Sequence, residues 1–96
     1  MIKNTNHQQM VINALCKSLA DVKPEVRAKA ANSLGKIGSE IAVAALIDII
    51  YDTDITVRLS VIEALGEIRS SIAIPHLVNV LLDTNWEIRP ATADAL

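Results

Sequence analysis

Apolar residues recur along this chain with two nested periods. Locally, Val26, Ala30, Ala31, Leu34 and Ile37 follow one another at three- and four-residue steps, the spacing of one face of an α-helix. Over a longer range the whole pattern returns at a fixed interval. Arg27, Arg58 and Arg89 keep that step, as do Asp21, Asp52 and Asp83, and Leu34, Leu65 and Leu96. Gly35 pairs with Gly66, Ile37 with Ile68, Ala42 with Ala73, and Leu46 with Leu77. Aligning 21–51 on 52–82 gives ten identities in 31 positions, and Leu15 and Leu19 precede Leu46 and Ile50 by the same interval. A period of this length marks one supersecondary unit used repeatedly.

Each period holds two helices. The first begins near residues 24, 55 and 86 after a short turn led by Asp. Pro24 stands at a first helical position, and Asp54 and Asn85 stand where N-caps belong. Gly35 and Gly38 lie near the end of the first copy's helix, where a left-handed C-cap is useful. Ser39, and Ser70 or Ser71, then offer N-caps for the second helix, and Pro75 falls close to that helix's first turn. The pattern predicts six helices, at about 8–20, 24–37, 40–51, 55–68, 73–82 and 86–96. Short connections make neighbours antiparallel. One pair cannot bury its apolar face alone, whereas stacked pairs share a continuous core. The predicted fold is all-α, a single segment spanning 1–96. It is an α-solenoid, a right-handed superhelix of about three helical pairs. Its expected core comprises Leu15, Leu19, Val26, Ala30, Leu34, Ile37, Leu46, Ile47, Ile50, Val57, Leu65, Ile68, Leu77, Val78 and Leu81.

Composition agrees with that pattern. The chain is 51% apolar but only 2% aromatic, with three Gly and three Pro. Ala, Leu, Ile and Val suit small helices packed closely, and little is left for a turn-rich β fold. Nine basic and eleven acidic residues give a net charge of −2, and no run of like charge appears. A protein that neutralises phosphates carries a basic surplus, so nucleic acid is not the expected partner. The N-terminal stretch lacks a signal peptide's apolar core. The longest apolar run, Ile41 to Ile47, is far below the roughly 20 residues a membrane span needs. One Cys cannot form an internal disulfide, which fits a reducing compartment. A cytoplasmic location and no membrane contact are the expectation.

The first copy reads Asp21-x-x-x-x-Val26-Arg27-x-x-Ala30-x-x-x-Leu34-Gly35-x-Ile37-Gly38, followed by Ala42-x-x-x-Leu46. This resembles the HEAT-like repeat of phycobilisome lyases, and the second copy departs from it at Val61 and Arg69. The pattern is also similar to tandem arrays in bacterial signalling NTPases. The resemblance implies a structural ladder between successive repeats, here Asp21, Asp52 and Asp83 with Arg27, Arg58 and Arg89. It implies a non-catalytic scaffold that binds another protein. Two alternatives follow from the same likeness. One is a subunit or fragment of a phycobilin lyase, or of a related factor acting on phycobiliproteins; the other is a regulatory repeat module of a signalling NTPase. Deoxyhypusine hydroxylases, a HEAT-repeat enzyme class, hold iron through His-Glu dipeptides, and this sequence has none. HEAT-like DNA glycosylases need a basic, aromatic-bearing groove, which Trp86 alone does not supply; it reads as packing at the end of the stack.

Candidate chemistry is sparse. His7 and His76 have no second ligand at helical spacing, so neither a metal nor a cofactor is expected. Cys16 aligns with Ile47 and Val78 and reads as a small core hydrophobe. Function is therefore sought on the outward positions of the second helices. These are Asn13, Ala14 and Lys17, then Ala44, Ala45, Asp48 and Tyr51, then Pro75, His76, Asn79 and Leu82. They vary between copies while the core positions do not, as a surface of changeable specificity requires. The opposite face, with Glu25, Lys29, Lys36, Glu63, Glu67 and Glu87, is mixed in sign and reads as solvated. Pro90, about five positions into the last helix, predicts a kink or fraying there. The pattern stops at Leu96 within a copy, which suggests part of a longer array. Val11, Ile12, Ile88 and Ala93 are expected to face outward at the ends, with self-association through terminal helices as the consequence.

Overall fold

The computed structural model describes the backbone of residues 3–83, 85 and 87–96, and side chains from His7 onward. Among the described residues there are six α-helices: α1 (Lys3–Ser18), α2 (Pro24–Ile37), α3 (Val43–Asp48), α4 (Ile55–Ile68), α5 (Ile74–Leu81) and α6 (Arg89–Ala95). Among the described residues there is no strand. Contacts run from α2 to α4 to α6 in one row, while α1 meets α2, α3 meets α4 and α5 meets α6. The helices thus lie in two rows, within extents of 49 × 29 × 16 Å.

The helix ends follow from local chemistry. Pro24 opens α2 where no backbone donor is needed. Gly38, at φ 74°, closes it and returns its N–H to the Leu34 carbonyl. Asp54 caps α4 by accepting the Val57 N–H at 3.1 Å. The equivalent closing residue of α4 is Arg69, held at φ 61°, so a side chain occupies the left-handed conformation that glycine adopts at low cost. Ser39 and Ser70 each accept an N–H two residues on, from Ile41 and Ile72.

Several boundaries differ from expectation. The segment predicted as one helix over 40–51 begins as a 3-10 turn at Glu40–Ala42, continues as α3 and ends in turns after Asp48. The segment predicted at 73–82 is likewise a 3-10 turn at Ser71–Ala73 followed by α5. The serine caps pull these turns tight, because a two-residue side-chain bond favours a narrow first turn. α1 starts before residue 8, since neither Gly nor Pro interrupts Lys3–Gln9. α6 starts after residue 86, which places Pro90 in its first turn. No interior backbone bond is lost there, so the expected kink is corrected to a regular helix start. Asn85 accepts the Glu87 N–H ahead of that start, in a turn and not as the N-cap of α6. Trp86 lies outside the described residues.

The buried core centres on Ala31, Leu34, Leu46, Val57, Val61, Ile62, Leu65, Leu77 and Val80. Ile37 and Val78 are corrections, at 37% and 43% exposed. Ile37 is the last residue of α2 and lines a shallow surface concavity beside Gln8 and Gln9 of α1. On α5 the buried face is formed by Leu77 and Val80, next to Ala73 of the preceding turn, and Val78 lies about 100° around the helix from Leu77. Two residues expected to face outward are also corrected. Ile12 is packed against the main core, and Ile88 is fully buried at the position equivalent to Val57. Gly35 is not a cap. It lets α2 approach α4, since a Cβ built there would stand 2.8 Å from the Ala64 Cα. Gly66 repeats the device in the next copy, 2.9 Å from the Ala95 Cα.

Candidate functional site

The repeated Asp and Arg residues meet across successive copies. Arg27 reaches forward to Asp52 with two parallel bonds, Nε donating to Oδ2 at 2.8 Å and Nη2 to Oδ1 at 3.0 Å. Its third nitrogen donates back to the carbonyl of Asp21 at 2.7 Å. This planar fork suits arginine and would be lost with lysine. Asp52 is turned towards it by the Asp54 N–H, which donates to Oδ1 at 2.9 Å. Burial pushes the Asp52 carboxyl upward, but the Arg27 hydrogen bond, the Asp54 N–H and the guanidinium charge outweigh it and hold the pKa below the usual carboxylate range.

Arg58 makes the equivalent reach to Asp83 with one bond, Nη2 to Oδ2 at 3.0 Å. Its Nε donates to the Ile50 carbonyl at 3.1 Å, and the guanidinium carbon stands 5.2 Å from the centre of the Tyr51 ring. That is cation–π distance, so this arginine also positions an exposed aromatic side chain. The Asn85 N–H, then the Arg58 bond, hold the Asp83 carboxyl below its ordinary pKa. Among the described residues Arg89 has no carboxylate partner, and no arginine reaches the Asp21 carboxylate. The Asp21 Oδ1 still accepts the Lys23 N–H at 2.9 Å, the same turn that shapes Asp52 and Asp83.

The outward positions of the second helices are open. Asn13, Ala14 and Lys17 are exposed on α1, Ala44 and Asp48 on α3, and Pro75, His76 and Asn79 on α5. Tyr51 and Leu82 are exposed just beyond α3 and α5, while Ala45 is half-buried. Successive members adjoin, since α1 touches the 3-10 turn before α3, and α3 touches the one before α5. A feature absent from the sequence reading lies beside them. Met10, Ile41 and Ile72, one from each copy at the repeat interval, are 65%, 58% and 60% exposed. The period itself carried that signal, because three apolar residues share one register position outside the core. A second unforeseen contact joins copies at the same level, where the buried Ser70 hydroxyl donates to the Glu40 carboxylate.

Glu25, Lys29, Lys36, Glu63, Glu67 and Glu87 are all exposed. Cys16 is half-buried, and burial pushes its thiol pKa up, which lowers the fraction of nucleophilic thiolate. His7 and His76 are both exposed. Among the described residues no cluster of three or more His, Cys, Asp or Glu is arranged to hold a metal ion. No helix among them is long and apolar enough to cross a membrane. No curated protein matches the chain. The family model of HEAT repeats matches residues 12–96, nearly the whole length. With its paired helices, close glycine crossings and copy-to-copy ion pairs, the chain belongs to the HEAT-repeat family.

Proposed function

We propose that this chain is a non-catalytic scaffold, a segment of right-handed α-solenoid built of about three helical pairs, which binds another protein along the row α1, α3, α5. HEAT repeats are generally protein-interaction scaffolds. The observation that carries the assignment to this row is the exposed apolar register of Met10, Ile41 and Ile72, on the same row as the exposed register Lys17, Asp48 and Asn79, which is polar and different in each copy. An apolar strip bordered by varied polar groups matches the anatomy of a protein interface, where buried apolar contacts give affinity and the rim gives selectivity. The opposite surface mixes charges of both signs, and its described residues form no such strip.

A photo-reactive amino acid placed at Ala44 or Asn79 should cross-link a discrete protein in cell extract, whereas one placed at Lys29 or Glu63 should not. Equal cross-linking from both surfaces, or from the second alone, would remove the assignment.

A further inference from the structure

We propose that the concavity between α1 and the 3-10 turn opening α3 is a carboxylate subsite, which takes a glutamate side chain of the bound protein. The inference rests on the scaffold reading above and places one point of selectivity at the edge of the same row.

The next copy shows the same cradle filled from within. Ser70, buried ahead of the 3-10 turn before α5, accepts the Ile72 N–H at 3.2 Å and donates its hydroxyl to the Glu40 carboxylate. One repeat earlier Ser39 is set in the same way, its Oγ accepting the Ile41 N–H at 3.2 Å. At the position equivalent to Glu40 stands Gln9, a neutral amide, whose Nε2 donates at 3.2 Å to Asn13 Oδ1 on its own helix. Among the described residues the Ser39 hydroxyl has no acceptor, and a concavity of about 270 Å3 opens beside it.

The walls are alike in both copies. Ile12, Ile37 and Ile41 line the concavity, and the repeat sets Val43, Ile68 and Ile72 at the equivalent positions. What changes is the filling. Gln9 replaces the carboxylate, and Gly38 stands where the next copy has the side chain of Arg69; a Cβ built on Gly38 meets nothing within 4 Å. The cradle is retained while its internal occupant is lost. It suits a carboxylate on a short apolar stem, because the serine hydroxyl donates to the charge and the isoleucines cover the stem, and a hydroxyl bonds an ionised acceptor more strongly than a neutral one. Gln9 Nε2, turned from Asn13, supplies a second donor at the rim. Among the described residues no lysine or arginine lines the concavity, which fits a single carboxylate and disfavours a phosphate dianion. Ile41 also belongs to the apolar register with Met10 and Ile72, so the acidic side chain enters beside the strip assigned to the partner.

Amide-detected NMR on the native chain tests this, with N-acetylglutamate N-methylamide as the probe and the glutamine counterpart as control. Each is titrated to about 50 mM, the range of a single weak side-chain contact. The acid should shift the Gly38, Ser39 and Ile41 resonances saturably, and the amide should not. Ser39→Ala should weaken the binding about tenfold, as the loss of one hydrogen bond to a charged group. Gln9→Glu should fill the concavity from within, as Glu40 does in the next copy, and so abolish probe binding while raising the melting temperature. Circular dichroism should show both variants folded. Equal shifts from acid and amide, no shift at these three residues, or probe binding that survives Gln9→Glu would overturn the proposal. The titration contains no partner protein, so it can fail while cross-linking from Ala44 and Asn79 succeeds, and the reverse.

Discussion

The junction between α2 and α4 and the junction between α4 and α6 are built from one repeated pattern, yet they differ in strength. The first joins two helices of fourteen residues, Pro24–Ile37 and Ile55–Ile68, and its arginine grips the carboxylate with two bonds. The second joins α4 to a helix of seven residues, Arg89–Ala95, and its arginine makes one bond while also meeting Tyr51 and the Ile50 carbonyl. A repeated sequence therefore fixes which residues meet, while local partners decide how firmly. The ion pair at the first junction should therefore contribute more to stability than the ion pair at the second.

The leucine series gives the largest expected contrast. Leu34→Ala and Leu65→Ala each leave a cavity in the core and should cost about 2–5 kcal/mol, enough to unfold much of a chain this short. Leu96→Ala, the same register position at 51% exposure, should stay within about 0.5 kcal/mol. Chemical denaturation of the three variants checks this, and equal losses would dissolve the comparison. The glycines come next. Gly35→Val forces a side chain against the Ala64 backbone between two long helices and should cost about 1–3 kcal/mol. Gly66→Val meets the Ala95 backbone at nearly the same distance and should cost a similar amount.

The ion pairs are a finer probe. Arg27→Ala should lower the melting temperature more than Arg58→Ala, because it breaks the two-bond fork beside a largely buried carboxylate. Asp52 and Asp83 have folded-state pKa values below the ordinary range. Their contribution is therefore complete above the unfolded pKa of about 3.9 and is lost as pH falls through the lower folded values. Asp52→Asn should flatten that acid loss in a melting series run from pH 6 down to about pH 2. The smallest effect concerns Arg69. Arg69→Gly relieves a left-handed residue with a side chain and should raise stability by up to about 1 kcal/mol, whereas Gly38→Arg should lower it comparably.

Much of the fold was legible because the repeat period placed equivalent residues in equivalent surroundings. The bounds of α2 and α4 followed from Pro24, Asp54 and the closing positions 38 and 69. What escaped was local geometry that one sequence cannot rank. The serine caps at Ser39 and Ser70 convert helix starts into 3-10 turns, which shifts α3 and α5. Pro90 carried two meanings, a kink or a start, and only the beginning of α6 at Arg89 decides between them. Ile37 and Val78 look like core residues by type, but their angle on the helix exposes them. At the candidate site the ladder residues stood out by spacing, while the link from Arg58 to Tyr51 depends on side-chain direction and left no sequence signal. The apolar register of Met10, Ile41 and Ile72 was present in the period but hidden among many other apolar positions.

The claim that the row α1, α3, α5 binds while the repeat framework only supports it is tested most directly by two sets of surface substitutions. One changes the proposed face, with Ala44→Glu, Asp48→Lys, His76→Glu and Asn79→Lys together. The other changes the opposite surface, with Glu25→Lys, Lys29→Glu and Glu63→Lys together. Both should melt within a few degrees of the native chain, since none of the seven side chains is buried. In affinity capture quantified against the native chain, the second set should retain the cross-linked partner and the first should lose it. Retention by the first set with loss by the second would contradict the account.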